Sequence, residues 1–178
     1  MPAGYHRRMK RIIACLTAFL PLLAACDEGP TTTETWKEYG IESSFVDATK
    51  GGPMRVVVFG DPFGDGTAAE RAIEAMRSAE LGRVATYRLT APEDAPDGAR
   101  TYVVLNGSGA SDRAICRGKE PETEPAGERE LTLRMAFCGG ERLLSDVSGR
   151  SPNIRESTHE FFAMLIRSAT RSIYRNKQ

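Results

Sequence analysis

The chain has 178 residues, with 24 basic and 24 acidic side chains and 40% hydrophobic residues. That length suffices for one domain with a core of its own, and the charge balance argues against a general nucleic-acid binder, which needs a basic footprint. Two histidines and four cysteines leave few candidates for chemistry that depends on either residue.

From Ile12 to Ala25 the chain is almost all Ile, Leu, Phe and Ala, broken by Cys15, Thr17 and Pro21 and preceded by Arg7, Arg8, Lys10 and Arg11. The run falls short of the roughly 20 residues that span a ~30 Å hydrocarbon core. A basic start, a short apolar stretch and small residues at its end make an export signal. Met9-Lys10-Arg11 would serve as a start in its own right.

The signal ends on Leu23-Ala24-Ala25-Cys26, which resembles the lipobox of bacterial lipoproteins. The resemblance implies cleavage before Cys26, diacylation of its thiol and a further chain on the new amino terminus, palmitate being typical. Small Ala24 and Ala25 suit a narrow protease site, and two or three acyl chains meet the need for more than one in stable anchoring. Asp27, directly after the cysteine, resembles the inner-membrane retention signal of enteric bacteria, and leaves the choice of membrane open.

Residues 1–25 are therefore expected to be removed. Four of the 24 basic side chains go with them, so 20 remain against 24 acidic, a net of −4. Cys15 is lost and Cys26 is acylated, leaving Cys116 and Cys138. An even pair in an exported, oxidising compartment reads as one disulfide. A zinc site is the rival reading, but His6 and His159 lack ligand spacing to the pair.

Residues 26–52 read as the acylated terminus and a polar tether through Thr31-Thr32-Thr33, in which Trp36, Tyr39, Ile41 and Phe45 could form a short docking segment. The globular domain is expected over 53–178. "MRVVVFG", Met54 to Gly60, is a buried strand by its β-branched apolar run. The turn "DPFGDG" follows, and Thr67 with Glu70 has the spacing of a capping box. Ala69, Ala72, Ile73 and Met76 keep one helix face apolar to about Ala79. "RVATYRLT" alternates like a strand, and "RTYVVLNG" is a second apolar one. "SDRAICRG" reads as a short strand carrying Cys116. Leu131, Leu133, Met135 and Phe137 alternate with polar or small neighbours, Gly139-Gly140 signals a hairpin, and "ERLLSDVSG" returns. Ser151-Pro152 reads as the N-cap and first position of a long amphipathic helix. Ile154, Phe161, Phe162, Leu165, Ala169 and Ile173 form its inner face. This order predicts a single α/β (α+β) two-layer sandwich, with a mixed sheet of about five to six strands and two main helices on one face.

Candidate sites are few. "GDPFGDGT" lacks the lysine of a phosphate loop and the spacing of a dinucleotide fingerprint. Asp61 and Asp65 could hold a cation or an anion-binding turn, although turn aspartates usually bond to nearby backbone. His159 would have to serve any histidine-based triad, and no G-x-S-x-G elbow accompanies it. Arg167, Arg171 and Arg175 recur at intervals of four, so they share a helix face that could touch anionic headgroups or an acidic partner. No catalytic set, resident metal or cofactor is expected.

The strands "MRVVVFG", "RVATYRL" and "RTYVVLNG", the intervening helix and the late glycine hairpin are similar in order to the TolB amino-terminal domain, the curli-secretion lipoprotein and lipoproteins that activate penicillin-binding proteins. The resemblance implies a cell-envelope protein, lipid-anchored with its domain facing the periplasm, acting as a non-enzymatic adaptor or accessory subunit in assembly or secretion. A periplasmic binding module for a small ligand or cell-wall fragment, and a hydrolase-like enzyme using Asp61, Asp65 or His159, are the alternatives.

Overall fold

The computed structural model describes residues 29–94, 98–125 and 130–175. The Leu23–Cys26 motif lies outside them. The elements in chain order are β1 (Thr31–Lys37), α1 (Ile41–Thr49), β2 (Met54–Phe59), α2 (Ala68–Arg77), β3 (Tyr87–Leu89), β4 (Ala99–Leu105), β5 (Gly107–Ser108), α3 (Asp112–Cys116), β6 (Glu122–Thr123), β7 (Glu130–Gly139), β8 (Arg142–Pro152) and α4 (Glu160–Tyr174). Six strands form one mixed sheet in the order β1-β8-β7-β4-β2-β3, and β5 pairs with β6 apart from it. β2 runs parallel to both β3 and β4, while the other ladders of the large sheet are antiparallel. The expected α/β sandwich is present.

The side-chain periods explain the layers. Alternate residues of a strand point to opposite faces. On β7, Leu131, Leu133, Met135 and Phe137 face one core, with Ala136 and Cys138 on the opposite face. β2 lies between two partners and is buried on both sides, so Val56 joins the first core and Val57 the second. That is why "MRVVVF" reads as an unbroken apolar run rather than an alternation.

The first core is the larger. Helices α1, α2 and α4 cover it, with Ile41, Phe45, Ile73, Met76, Phe162 and Leu165 among its buried side chains. Tyr174 sits at its centre, fully buried, stacked on Phe45 at 4.0 Å between centroids and edge-on to Phe137 at 5.4 Å. Its hydroxyl shares a 2.5 Å hydrogen bond with Thr101 Oγ1 on β4. Lys37, at the end of β1, closes the carboxyl end of α4: its Nζ donates to the carbonyls of Ser172 (2.5 Å) and Arg175 (2.6 Å). A cation there satisfies carbonyls that the helix leaves free.

Several boundaries differ from the sequence expectation. Residues 31–49 are folded structure rather than a continuation of the tether. Thr31, Thr32 and Thr33 pair with Arg150, Gly149 and Ser148, and α1 buries Ile41 and Phe45. β-branched threonine suits a half-exposed edge strand without needing an apolar alternation. Cys116 lies on a helix, because Ser111 caps it by accepting from the N–H of Ala114 (3.3 Å). Helix α4 begins at Glu160, not at Pro152. Ser151 and Pro152 instead end β8, paired with Leu131 and Glu130. β1 reaches no further than Arg150, so proline's missing N–H costs no second ladder there. β3 is confined to Tyr87–Leu89, the span that pairs with Met54–Val56.

The Tyr174 centre yields a prediction. Tyr174→Ala should lower the unfolding free energy by about 3–5 kcal/mol, the usual cost of deleting a buried aromatic ring. Tyr174→Phe should cost less, about 1–3 kcal/mol, because it leaves the buried Thr101 hydroxyl without its partner. Urea denaturation of both variants checks the order.

Candidate functional site: the disulfide-stapled face

The second face of the sheet carries the charged side chains that are buried among the described residues, Arg100 and Asp146. Here the five-residue helix α3 lies across β7 and β8. Cys116, its last residue, is joined to Cys138 on β7, and both are fully buried. The disulfide read from cysteine counting is present. Arg100 of β4 reinforces it, donating from Nη2 to the Cys116 carbonyl (3.0 Å) and from Nε to the Tyr102 hydroxyl (2.7 Å).

At the other end of α3, Arg134 of β7 donates from Nη1 to the Ala110 carbonyl (2.7 Å) and lies 3.7 Å from Asp112 Oδ1. The Asp112 and Asp146 carboxyl groups come from α3 and β8, yet each perturbs the other's protonation, so the two are neighbours across the stapled face. Burial pushes Asp112 up to about 6, Asp146 adds to the rise, and Arg134 opposes it. Burial also raises Asp146, against the Trp36 N–H, the Asp112 side chain and the charge of Arg113. Arg113 lies over the Trp36 ring, 5.9 Å from its centroid. Sequence reasoning missed this pair, since the partners become neighbours only once α3 folds across the sheet.

The anticipated sites have local roles. Asp61 Oδ2 accepts from the Gly66 N–H (2.8 Å), and Asp65 Oδ1 accepts from the Thr67 N–H (2.8 Å) and hydroxyl (2.9 Å). The N–H of Thr67 is the main reason that the Asp65 carboxyl sits below the usual range. Thr67 therefore gives no side-chain cap bond to α2, and the expected capping box with Glu70 does not form. Thr67 and Asp65 both bond Ser157 Oγ (2.6 and 3.2 Å), tying this turn to the lead into α4. Gly64 and Gly66 have φ of 68° and 72°, so the glycines serve the left-handed turn. Among the described residues no group of three or more His, Cys, Asp or Glu side chains is placed to hold a metal ion.

His159 caps α4, its Nδ1 accepting from the Phe161 N–H (3.1 Å). Arg167, Arg171 and Arg175 are all half-buried rather than a fully solvated stripe. Arg175 donates to the Glu80 carbonyl, and Arg167 borders a groove of about 430 Å³ with Arg71, Glu74 and Ser157. Among the described residues no helix is long and apolar enough to cross a membrane.

No family model matches the chain, and no curated protein matches it. Among the solved structures that match is a PelC dodecamer from Paraburkholderia phytofirmans, with 12% identity and a TM-score of 0.46, covering 83% of this chain and 99% of that one. A dodecamer of a single-residue variant of the same protein matches with 13% identity and a TM-score of 0.40, covering 81% and 94%. Both are loose likenesses in chain path.

Two predictions follow from the stapled face. Cys116→Ala/Cys138→Ala should cost about 3 kcal/mol of stability, the chain-entropy value for a loop of this size. In hydrogen exchange, α3 amides of this variant should lose protection before those of β7. For Asp112, the folded protein binds the proton more tightly than the unfolded chain, whose value is near 3.8. Stability from this pair is therefore greatest at acid pH and declines as pH rises from about 4 to about 6. Asp112→Asn should remove that decline in a series of melting temperatures across the interval, while an unchanged slope would contradict the raised Asp112 carboxyl.

Proposed function

We propose that the chain is a bacterial lipoprotein, cut before Cys26 and acylated on it. Its folded domain acts as a non-enzymatic adaptor or accessory subunit of cell-envelope assembly or secretion, facing the periplasm. The observation that carries this reading is Leu23-Ala24-Ala25-Cys26 at the end of a short apolar segment with a basic start. The buried Cys116–Cys138 disulfide supports it, because such bonds persist in oxidising compartments outside the cytosol.

The fold sharpens the reading. Five residue steps separate Cys26 from Thr31, where β1 begins. Fully extended, they reach roughly 17 Å. Acyl chains on Cys26 would thus hold the Thr31 end of β1 close to the headgroups, and the domain could not range far from the surface. Such a protein works on neighbours brought to the same membrane, which is an adaptor's situation.

Replacing Cys26 tests both halves. Cys26→Ala should move the protein from the membrane to the soluble fraction and abolish proximity labelling of envelope neighbours by a fused ligase. Continued membrane association would contradict the anchor. Unchanged neighbours and an unchanged envelope phenotype in the soluble variant would contradict the anchored adaptor.

A further inference from the structure

The register of the central strands places three arginines in a row. Arg88 on β3 is opposite Arg55 on β2, and Arg55 is opposite Arg100 on β4. The alternation of buried neighbours puts all three on the face that carries α3, since Val57 and Tyr102, two residues along from Arg55 and Arg100, belong to its core. Adjacent strands lie about 4.8 Å apart. Like charges directly opposite one another on a sheet are destabilising. Arg100 is relieved by its bonds to Tyr102 and Cys116.

Arg55 and Arg88 are placed differently. Both line a cavity of about 350 Å³ beside the Gly51-Gly52-Pro53 turn, and among the described residues no acidic side chain lines it. Neither guanidinium has a hydrogen-bond or ion-pair partner among the described residues. The backbone also makes room for this placement. Gly98, at φ 129°, lies where an added Cβ would meet Arg55 Nη2 at 2.9 Å. A side chain at 98 would push the guanidinium off its present course.

We propose that Arg55 and Arg88 form a binding site for a phosphate-type oxyanion on a soluble ligand. One guanidinium fork satisfies the two oxygens of a carboxylate. Two forks on neighbouring strands, approaching from one side, match a tetrahedral dianion with more oxygens to share. The position argues for a soluble ligand rather than the headgroups of the membrane nearest Cys26. The Thr31 end of the sheet is level with Thr132 on β7, whereas the arginine row is level with Cys138. Six residues of strand separate them, roughly 20 Å. The site itself is independent of the anchor.

Titration with inorganic phosphate tests it, following the Nε–Hε resonances of Arg55 and Arg88 in the full chain carrying Cys26→Ala, with sodium chloride at matched ionic strength as reference. Saturable shifts of both side chains are expected. Arg88→Gln should weaken binding about tenfold, Arg55→Gln/Arg88→Gln should abolish it, and Arg83→Gln, outside this cavity, should leave it unchanged. Arg88 is exposed, and the backbone amide spectrum verifies that its variant stays folded. Glycerol phosphate should compete with inorganic phosphate, whereas acetate and phosphatidylglycerol vesicles should not. Absence of a saturable shift overturns the site, as does full binding in the double variant. Equal saturation by acetate overturns the phosphate class, and vesicle binding without competition by glycerol phosphate overturns the soluble ligand.

Discussion

A sheet buried on both faces needs cover on both, and here the two covers are unequal. Three helices, α1, α2 and α4, pack on one side and bury enough apolar surface to hold themselves in place. The other side has α3, five residues long. A helix that short is unstable on its own, because nucleation costs more than so few hydrogen bonds return. The Cys116–Cys138 bond removes that difficulty by making α3 part of β7. Arg100, Arg134, the Asp112–Asp146 pair and the Arg113–Trp36 contact then have fixed partners. Arg100 to the Cys116 carbonyl, Arg134 to the Ala110 carbonyl and Arg113 over Trp36 all join α3 or the residues beside it to the sheet alongside that covalent link.

The constraint has an electrostatic consequence. With α3 stapled down, Asp112 lies near Asp146 where neither carboxylate is well solvated, and burial raises the Asp112 carboxyl to about 6. Arg100 bonds inward to the Cys116 carbonyl, whereas Arg55 and Arg88, in the same row, line the cavity.

Much of the architecture was legible because it obeys simple periods. The alternation of Leu131, Leu133, Met135 and Phe137 gives β7 and its buried face, and the inner face of α4 emerges from Phe162, Leu165, Ala169 and Ile173. Counting cysteines gave the disulfide. What escaped has physical reasons. α3 is too short to show a helical period, and its cap signal, Ser111, is shared with ordinary loops. Thr31–Thr33 form an edge strand whose sequence is uniformly polar. Pro152 looks like a helix start, yet it ends a strand where one neighbour has already stopped. Thr67 has the spacing of a cap, but Asp65, a charged acceptor two residues earlier, takes its N–H and hydroxyl. The carboxyl pair and the arginine row depend on strand register and on α3 crossing the sheet, and neither is written in local spacing.

The proposed function sets acyl chains on Cys26 at the front of the chain and the Cys116–Cys138 disulfide within it, two covalent events that would both suit an exported protein. One intact-mass measurement on protein extracted from its native membrane reads them together. The account predicts a chain beginning at Cys26, heavier by two or three acyl groups and lighter by the two hydrogens lost in joining Cys116 to Cys138. A mass matching an unacylated amino terminus, with both thiols free, would contradict it.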